Sequence, residues 1–235
     1  MQPRESYFPR VSKVEYDMGL RNFMLQVYNY MTVALAISGL VSIGLNMSPD
    51  LMKAIWTTNF KWVAIFLPLA FSLGYSFLFE RMTVSGAKYG LIAFAAAMGL
   101  SLSSIFLVFK LGSIANVFFI SAATFGAASI YGYTTKKDLT SFGSFLIMGV
   151  IGICIASVVN IFLKSSAFAF VISIIGVLLF TGLTAYDTQN LKNVYDDTYG
   201  EEREKAGVMG AFQLYLDFIN IFVMLLQLVG EKKDG

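Results

Sequence analysis

The sequence predicts an all-α integral membrane protein that crosses the bilayer seven times and has almost no soluble domain. Three observations predict it. Seven apolar stretches recur along the 235 residues, each near the ~20 residues that a helix needs to cross hydrocarbon. Charged residues make up 14% of the chain, against about 25% in an ordinary soluble domain. Hydrophobic residues reach 57%, and the mean hydropathy is +0.68.

Residues 1–22 form a polar N-terminal arm carrying Arg4, Glu5, Arg10, Lys13, Glu15, Asp17 and Arg21. No cleavable apolar core precedes these charges, so the arm does not read as a signal peptide. The spans follow at about 23–45, 61–79, 87–109, 113–133, 141–163, 167–190 and 207–229. The loops are short and hold most of the charge. The longest is expected from about Lys192 to Ala206, rich in both signs. No repeat or linker divides residues 23–230, which read as one domain, and 231–235 form a short charged tail. With the N-terminus in the cytoplasm, eleven Lys and Arg residues fall on that side and six on the other. The excess of positive charge inside favours N-in and C-out. A re-entrant hairpin would return the C-terminus to the cytoplasm.

Composition also excludes several functions. The net charge of +2 is small and scattered between apolar runs, which argues against nucleic acid. The chain has one cysteine, Cys154, and no histidine. No internal disulfide and no Cys/His metal centre can form. A bound metal would need oxygen ligands, which suits a hard cation such as calcium. A proton sensor near neutral pH would need a group other than histidine. Neither GxSxG nor a GxxxxGK phosphate loop occurs, and no triad is possible, so the chain does not read as an enzyme. An intramembrane aspartyl protease would also use aspartates on neighbouring spans. Its second aspartate follows a glycine, whereas Tyr215 and Leu216 precede Asp217 here.

The last span carries the chemistry. Gln213, Asp217, Asn220, Met224 and Gln227 recur at spacings of four, three, four and three, which places them along one helix face. A lipid-facing helix would not carry such a stripe, so this helix is expected inside the bundle, facing other helices or a water-filled cavity. Asp217 is expected near the midplane, where a carboxylate must be paired, hydrated or protonated. It is a functional candidate, with structural glue as the alternative. The segment FTGLTAYDTQNLKN, 180–193, sets Asp187 on nearly the same face as Thr181, Thr184 and Thr188. Asp187 alone reads equally as a helix-end marker. Together, two carboxylates on consecutive antiparallel spans can meet and share a proton, because both cannot comfortably ionise. Asp217 looks deeper than Asp187, so they meet only if the sixth helix tilts or continues well past Asp187. Arg81, ending the second span beside Glu80, is either a positive-inside anchor or a partner for a carboxylate. Lys136, Lys137 and Asp138 read as a cytoplasmic turn. Gly86 and Gly90 form a GxxxG packing pattern. Gln26 and Asn29 support the polar interior or mark the interface.

The segments LYLDFINIF, 214–222, and GLTAYDTQNLK, 182–192, together with TTKKDLTSFGSFL, 134–146, resemble the Bax inhibitor family, the transmembrane Bax inhibitor motif proteins, in its bacterial form. The resemblance covers the chain beyond the N-terminal arm. It implies a seven-helix bundle with the C-terminal helix at its centre, and a pH-sensitive calcium leak. It implies a sensor and gate at Asp187 and Asp217, which would also meet calcium transiently, and a latch at Arg81. Gln213, Asn220 and Gln227 would line the polar path. Calcium is then the permeant ion, with protons and the bilayer as the other partners, and no cofactor is tightly held. Two further functions fit the resemblance: a regulator that binds a membrane-bound protease, with the N-terminal arm as the engaging segment, or a proton-coupled transporter of small solutes. The expected location is a bacterial inner membrane, with the N-terminus cytoplasmic.

Overall fold

The computed structural model describes residues 13–233; most of the N-terminal arm, 1–12, lies outside the described residues, as do Asp234 and Gly235. The chain runs through α1 (Lys13–Asn46), α2 (Pro49–Trp56) and α3 (Phe60–Leu78), the last followed by a single 3-10 turn, Phe79–Arg81. Then come α4 (Val84–Leu102), α5 (Ile105–Val108), α6 (Leu111–Thr134), α7 (Thr140–Leu163), α8 (Ser166–Asp197) and α9 (Gly200–Val229). With α4 and α5 taken as one broken span, seven segments are long and apolar enough to cross a membrane. This is the architecture read from the hydropathy.

The C-terminal helix is central. α9 packs against α8, α1, α6 and α4, while α3 leans on α4, and α7 on α8, from outside. Val208, Ala211, Leu214, Tyr215 and Ile221 of α9 are completely buried. Aromatic edges fill the contacts around it. Phe212 meets Tyr75 and Phe94, each at a ring separation of 4.9 Å, and Phe218 meets Phe118 at 5.4 Å. A buried polar chain ties three helices together: the Tyr215 hydroxyl lies 2.7 Å from Ser38 Oγ of α1, which reaches the Ala95 carbonyl of α4 at 2.8 Å. In hydrocarbon, polar groups must find partners inside the protein, and this chain supplies them. The outer faces carry Leu40, Leu73, Phe77, Phe119, Met148, Phe162 and Leu178, all exposed, as lipid contact requires.

The structure differs from the sequence reading in four places. α1 begins at Lys13, inside the stretch 1–22 that reads as an arm. Its extra turns reach α8, where Tyr16 donates to Asp196 Oδ1 at 2.7 Å, and Phe23, at the start of the expected span, lies against Tyr195 at 5.6 Å. The expected loop from Lys192 to Ala206 is helix except for Thr198 and Tyr199. The short helix α2 was not expected; it buries Met52 and Ile55. The third span breaks at Ser103–Ser104, where Ser103 Oγ donates to the Leu100 carbonyl at 2.7 Å and Ser104 Oγ to the Ser101 carbonyl at 2.9 Å. Those hydroxyls satisfy carbonyls that a continuous helix would have bonded.

Tight turns set the helices close. Lys164, left-handed at φ 49°, ends α7. Ser165 Oγ then accepts from the Phe168 N–H at 3.2 Å and caps α8. The chain after α9 is tied down through Lys233: the Lys110 N–H donates to the Glu231 carbonyl and the Lys233 N–H to the Val108 carbonyl, both at 2.9 Å. Of the GxxxG pair, Gly90 lies against the Tyr75 ring, while Gly86 meets only its own N-cap region at Thr83 and Met82.

α6 and α8 come close at Gly132, where a Cβ would meet the backbone carbonyl of Ala185; Gly126 on the same helix faces open space. Gly132→Ala is therefore expected to destabilise by about 1–3 kcal/mol, since backbone cannot move aside as a side chain can. Gly126→Ala should be neutral or stabilising by up to ~1 kcal/mol through helix propensity. Thermal unfolding of the two variants in detergent checks the contrast.

Candidate functional site

α8 and α9 are antiparallel neighbours, and their contacts fix a register. Ser173 Oγ donates to Gln227 Oε1 at 3.0 Å. Gly176 faces Met224, and Leu191 faces Gly210. Between these fixed points, the Thr184 hydroxyl comes within reach of the Asp217 carboxyl. Asp187 follows Thr184 by three residues, ~4.5 Å along the axis. Helical side chains lean towards the N-terminus of their own helix. Because the helices are antiparallel, Asp187 leans down to the level of Asp217, and Asp217 leans up to Asp187. The two carboxyl groups lie within hydrogen-bonding reach of each other. The sequence reading required the sixth span to tilt or to continue past Asp187; α8 does continue, to Asp197.

Asp217 is 4% exposed; Asp187 is half-buried. The Thr184 hydroxyl, with one proton to give, reaches both the Phe180 carbonyl at 2.8 Å and the Asp217 carboxyl. Asp217 Oδ2 is buried with no hydrogen-bond partner among the described residues, and so is Thr181 Oγ1. A buried, unsatisfied carboxylate oxygen is costly. The group beside it that can carry a proton is the other aspartate.

The polar stripe of α9 divides. Asp217 turns into α8. Gln213, Asn220 and Gln227 lie instead on the least covered stripe of the helix, with Met209, Leu216 and Val223, at alternating spacings of four and three. Gln213 and Gln227 are exposed; Asn220 donates to the Leu216 carbonyl of its own helix at 2.8 Å. Towards the C-terminal end this stripe opens on a cavity of about 360 Å³. The break between α4 and α5 forms its opposite wall, with Ser101, Ser104, Ile105 and Val108 facing Asn220 and Gln227. Interrupted helices with polar backbone at membrane depth are tolerated where they line a cavity.

Arg81 is not brought to the pair. It is exposed on the 79–81 turn and makes no hydrogen bond or ion pair with Asp187 or Asp217. That turn is held by a different cation. Lys205, in the first turns of α9, donates to the Glu80 carbonyl at 2.7 Å and lies over the Phe79 ring. Beside it Lys88 pairs with Glu204 at 2.6 Å.

The sequence reading also missed Arg203. Its Nε donates to the Thr198 carbonyl at 2.8 Å and its Nη2 to the Tyr195 carbonyl at 2.9 Å, with the guanidinium stacked 3.9 Å from the Tyr195 ring. It thus closes the carbonyl end of α8 from the first turn of α9. Gly200, at φ +55°, makes the two-residue link possible, since only glycine enters that region freely. A signal for this turn was present: Gly200 followed by Glu201 and Glu202 is acid in a first helical turn, where it complements the helix dipole.

A family model described as inhibitor of apoptosis-promoting Bax1 matches residues 20–234. The chain belongs to the Bax inhibitor-1 family. Members similar to it occur across bacteria. The inner membrane protein YbhL of Escherichia coli is 41% identical over 231 residues, covering 96% of this chain and 99% of that one. An uncharacterized protein of Rickettsia prowazekii is 43% identical over 220 residues, 93% of each chain. Another from Caulobacter vibrioides is 41% identical, covering 93% of this chain and 92% of its own. The central last helix and the seven spans are therefore those of a Bax inhibitor-1 family membrane protein.

The α8–α9 turn of this family member can be tested apart from the carboxylates. Arg203→Met keeps the apolar stem but removes both hydrogen bonds and the stacked cation. It is expected to cost about 1–2 kcal/mol, read as a lowered unfolding temperature in detergent.

Proposed function

We propose that the protein is a pH-sensitive calcium leak of a bacterial inner membrane, gated by Asp187 and Asp217. The observation that carries this reading is the meeting of the two carboxyls at a buried point where Asp217 Oδ2 has no other partner among the described residues. The resemblance to the Bax inhibitor family supplies the ion, and the E. coli relative's name supplies the membrane.

The mechanism follows from charge. With one proton between the carboxyls, each is satisfied by the other, and α8 stays seated on α9. When that proton leaves, two like charges face each other where the dielectric is low, and their repulsion is large. α8 and α9 then separate at Thr184–Asp217, and the polar stripe of Gln213, Asn220 and Gln227 joins the opening to the cavity at the α4–α5 break. Calcium meets carboxylate oxygens on this route, a suitable hard ligand set. Two carboxylates are few ligands for a hard cation, so selectivity is modest. Arg81 enters this reading only through a second conformation, in which the 79–81 turn leaves Lys205 and approaches Asp187. The reading needs no catalytic residue.

The sign is fixed by the pair. Protonation keeps the gate shut, so flux should rise as pH rises through the loss of the shared proton. In proteoliposomes, calcium entry is expected to stay low up to neutral pH, where the pair still holds its proton, and to rise as the pH is raised towards about 8 and above. Asp217→Asn cannot develop the second charge and should give a low flux with no pH dependence. A wild-type pH profile in that variant, or no flux above empty liposomes at any pH, would rule the gate out.

A further inference from the structure

At the end of the bundle away from the α8–α9 turn, the chain builds a second cavity, of about 410 Å³. Its walls come from three separated segments: the end of α1 with α2, the short helix α5, and the C-terminal tail. Lys53 of α2 and Lys233 of the tail converge on it, with Trp56 and Thr57 beside them and Phe106 and Leu107 as an apolar wall. Nothing in the proposed leak uses this place.

Among the described residues no carboxylate pairs with either lysine. Asp50, one turn earlier on α2, does not line the cavity. Lys233 Nζ donates to the Phe106 carbonyl at 2.7 Å; that spends one of its three protons and cancels no charge. Among the described residues the acid of the tail, Glu231, is turned to Lys110 at 3.4 Å. Lys233 is also held by its backbone, whose N–H bonds the Val108 carbonyl at 2.9 Å. The cavity is therefore a basic site built by folding.

Its surroundings are those of a membrane interface. α2 buries Met52 and Ile55 while Lys53 and half of Leu51 stay exposed, the division of a helix that lies along a bilayer surface. The Trp56 indole N–H is fixed to Ser103 Oγ at 3.1 Å, and tryptophan is a residue favoured at membrane–water interfaces. Beyond the lysines the apolar wall includes exposed Leu107, and further along the sequence Val108 and Leu111 are exposed apolar side chains as well. Charge at the mouth and an apolar exit below match a molecule with an anionic head and hydrocarbon chains. A soluble anion would use the lysines and leave the apolar wall idle.

We propose that this cavity binds the headgroup of an anionic phospholipid, with Lys53 and Lys233 on its phosphate and its chains leaving along Leu107 and Leu111. The experiment is thermal unfolding of the purified full chain in a neutral detergent. It is run with added phosphatidylglycerol, phosphatidylcholine or glycerophosphate. Phosphatidylglycerol is expected to raise the unfolding temperature by about 3 °C more than phosphatidylcholine, and glycerophosphate to do nothing. Lys53→Gln combined with Lys233→Gln should abolish that difference. Lys61→Gln, a cation over Trp62 outside the cavity, should keep it. Because the two lipids are compared within each variant, a general loss of stability does not mimic the result. Equal effects of the two lipids, a preference that survives the double substitution, or protection by glycerophosphate alone would each overturn the proposal.

Discussion

Hydrocarbon cannot hydrate a carboxylate, and that constraint shapes the contact between α8 and α9. Asp217 is closed off on a helix that four others surround. Thr184 is close enough to help, but it divides one proton between Asp217 and the Phe180 carbonyl of its own helix. What remains within reach is Asp187, so the two acids depend on each other. Much nearby structure keeps them at that distance. Gly176 and Gly210 admit Met224 and Leu191 and let the helix axes approach. Ser173 and Gln227 pin the far end of the register. At the near end the two-residue link and Arg203 prevent α8 from sliding along α9. A slip of one turn, ~5.4 Å, would leave each carboxyl alone in the bundle.

The same helix serves two surroundings. One side of α9 is sealed by aromatic edges and by the Tyr215–Ser38–Ala95 chain, which suits a rigid axle. Another carries Gln213, Asn220 and Gln227 along a stripe that no helix fully covers. The break at Ser103–Ser104 faces that stripe, and its serines satisfy the backbone that the break exposes. The aspartate pair sits at the border between the sealed and the open sides. A change in its charge would act where the packing already has somewhere to yield.

The seven spans were legible because hydropathy measures what lipid demands, and the central place of the last helix was legible from its polar stripe. The helical course through residues 192–206 was not. Charges there resemble a loop, yet they are spent on partners outside the apolar span: Asp196 on Tyr16, Glu204 on Lys88, Lys205 on the Glu80 carbonyl. Spacing placed Asp217 and Gln213 on one face but could not divide it. The two are four residues apart, and the edge of α8 falls between them. Arg81 ends the second span as expected, but which cation holds that turn depends on the helix that starts 119 residues later in the chain, at Gly200. The short α2 is too brief for a span and too apolar for an ordinary loop. The break in the third span follows from three serines within SLSS, 101–104, whose hydroxyls compete for backbone carbonyls.

The central claim is that one proton resides between Asp187 and Asp217 at neutral pH. Infrared difference spectroscopy of the protein in lipid reads it directly, through the carbonyl stretch of a protonated carboxyl group. The account predicts such a band in the wild type at neutral pH, its loss on alkaline titration, and a changed band when either aspartate is replaced by asparagine. A neutral-pH spectrum with no protonated carboxyl, or a band indifferent to both substitutions, would contradict it.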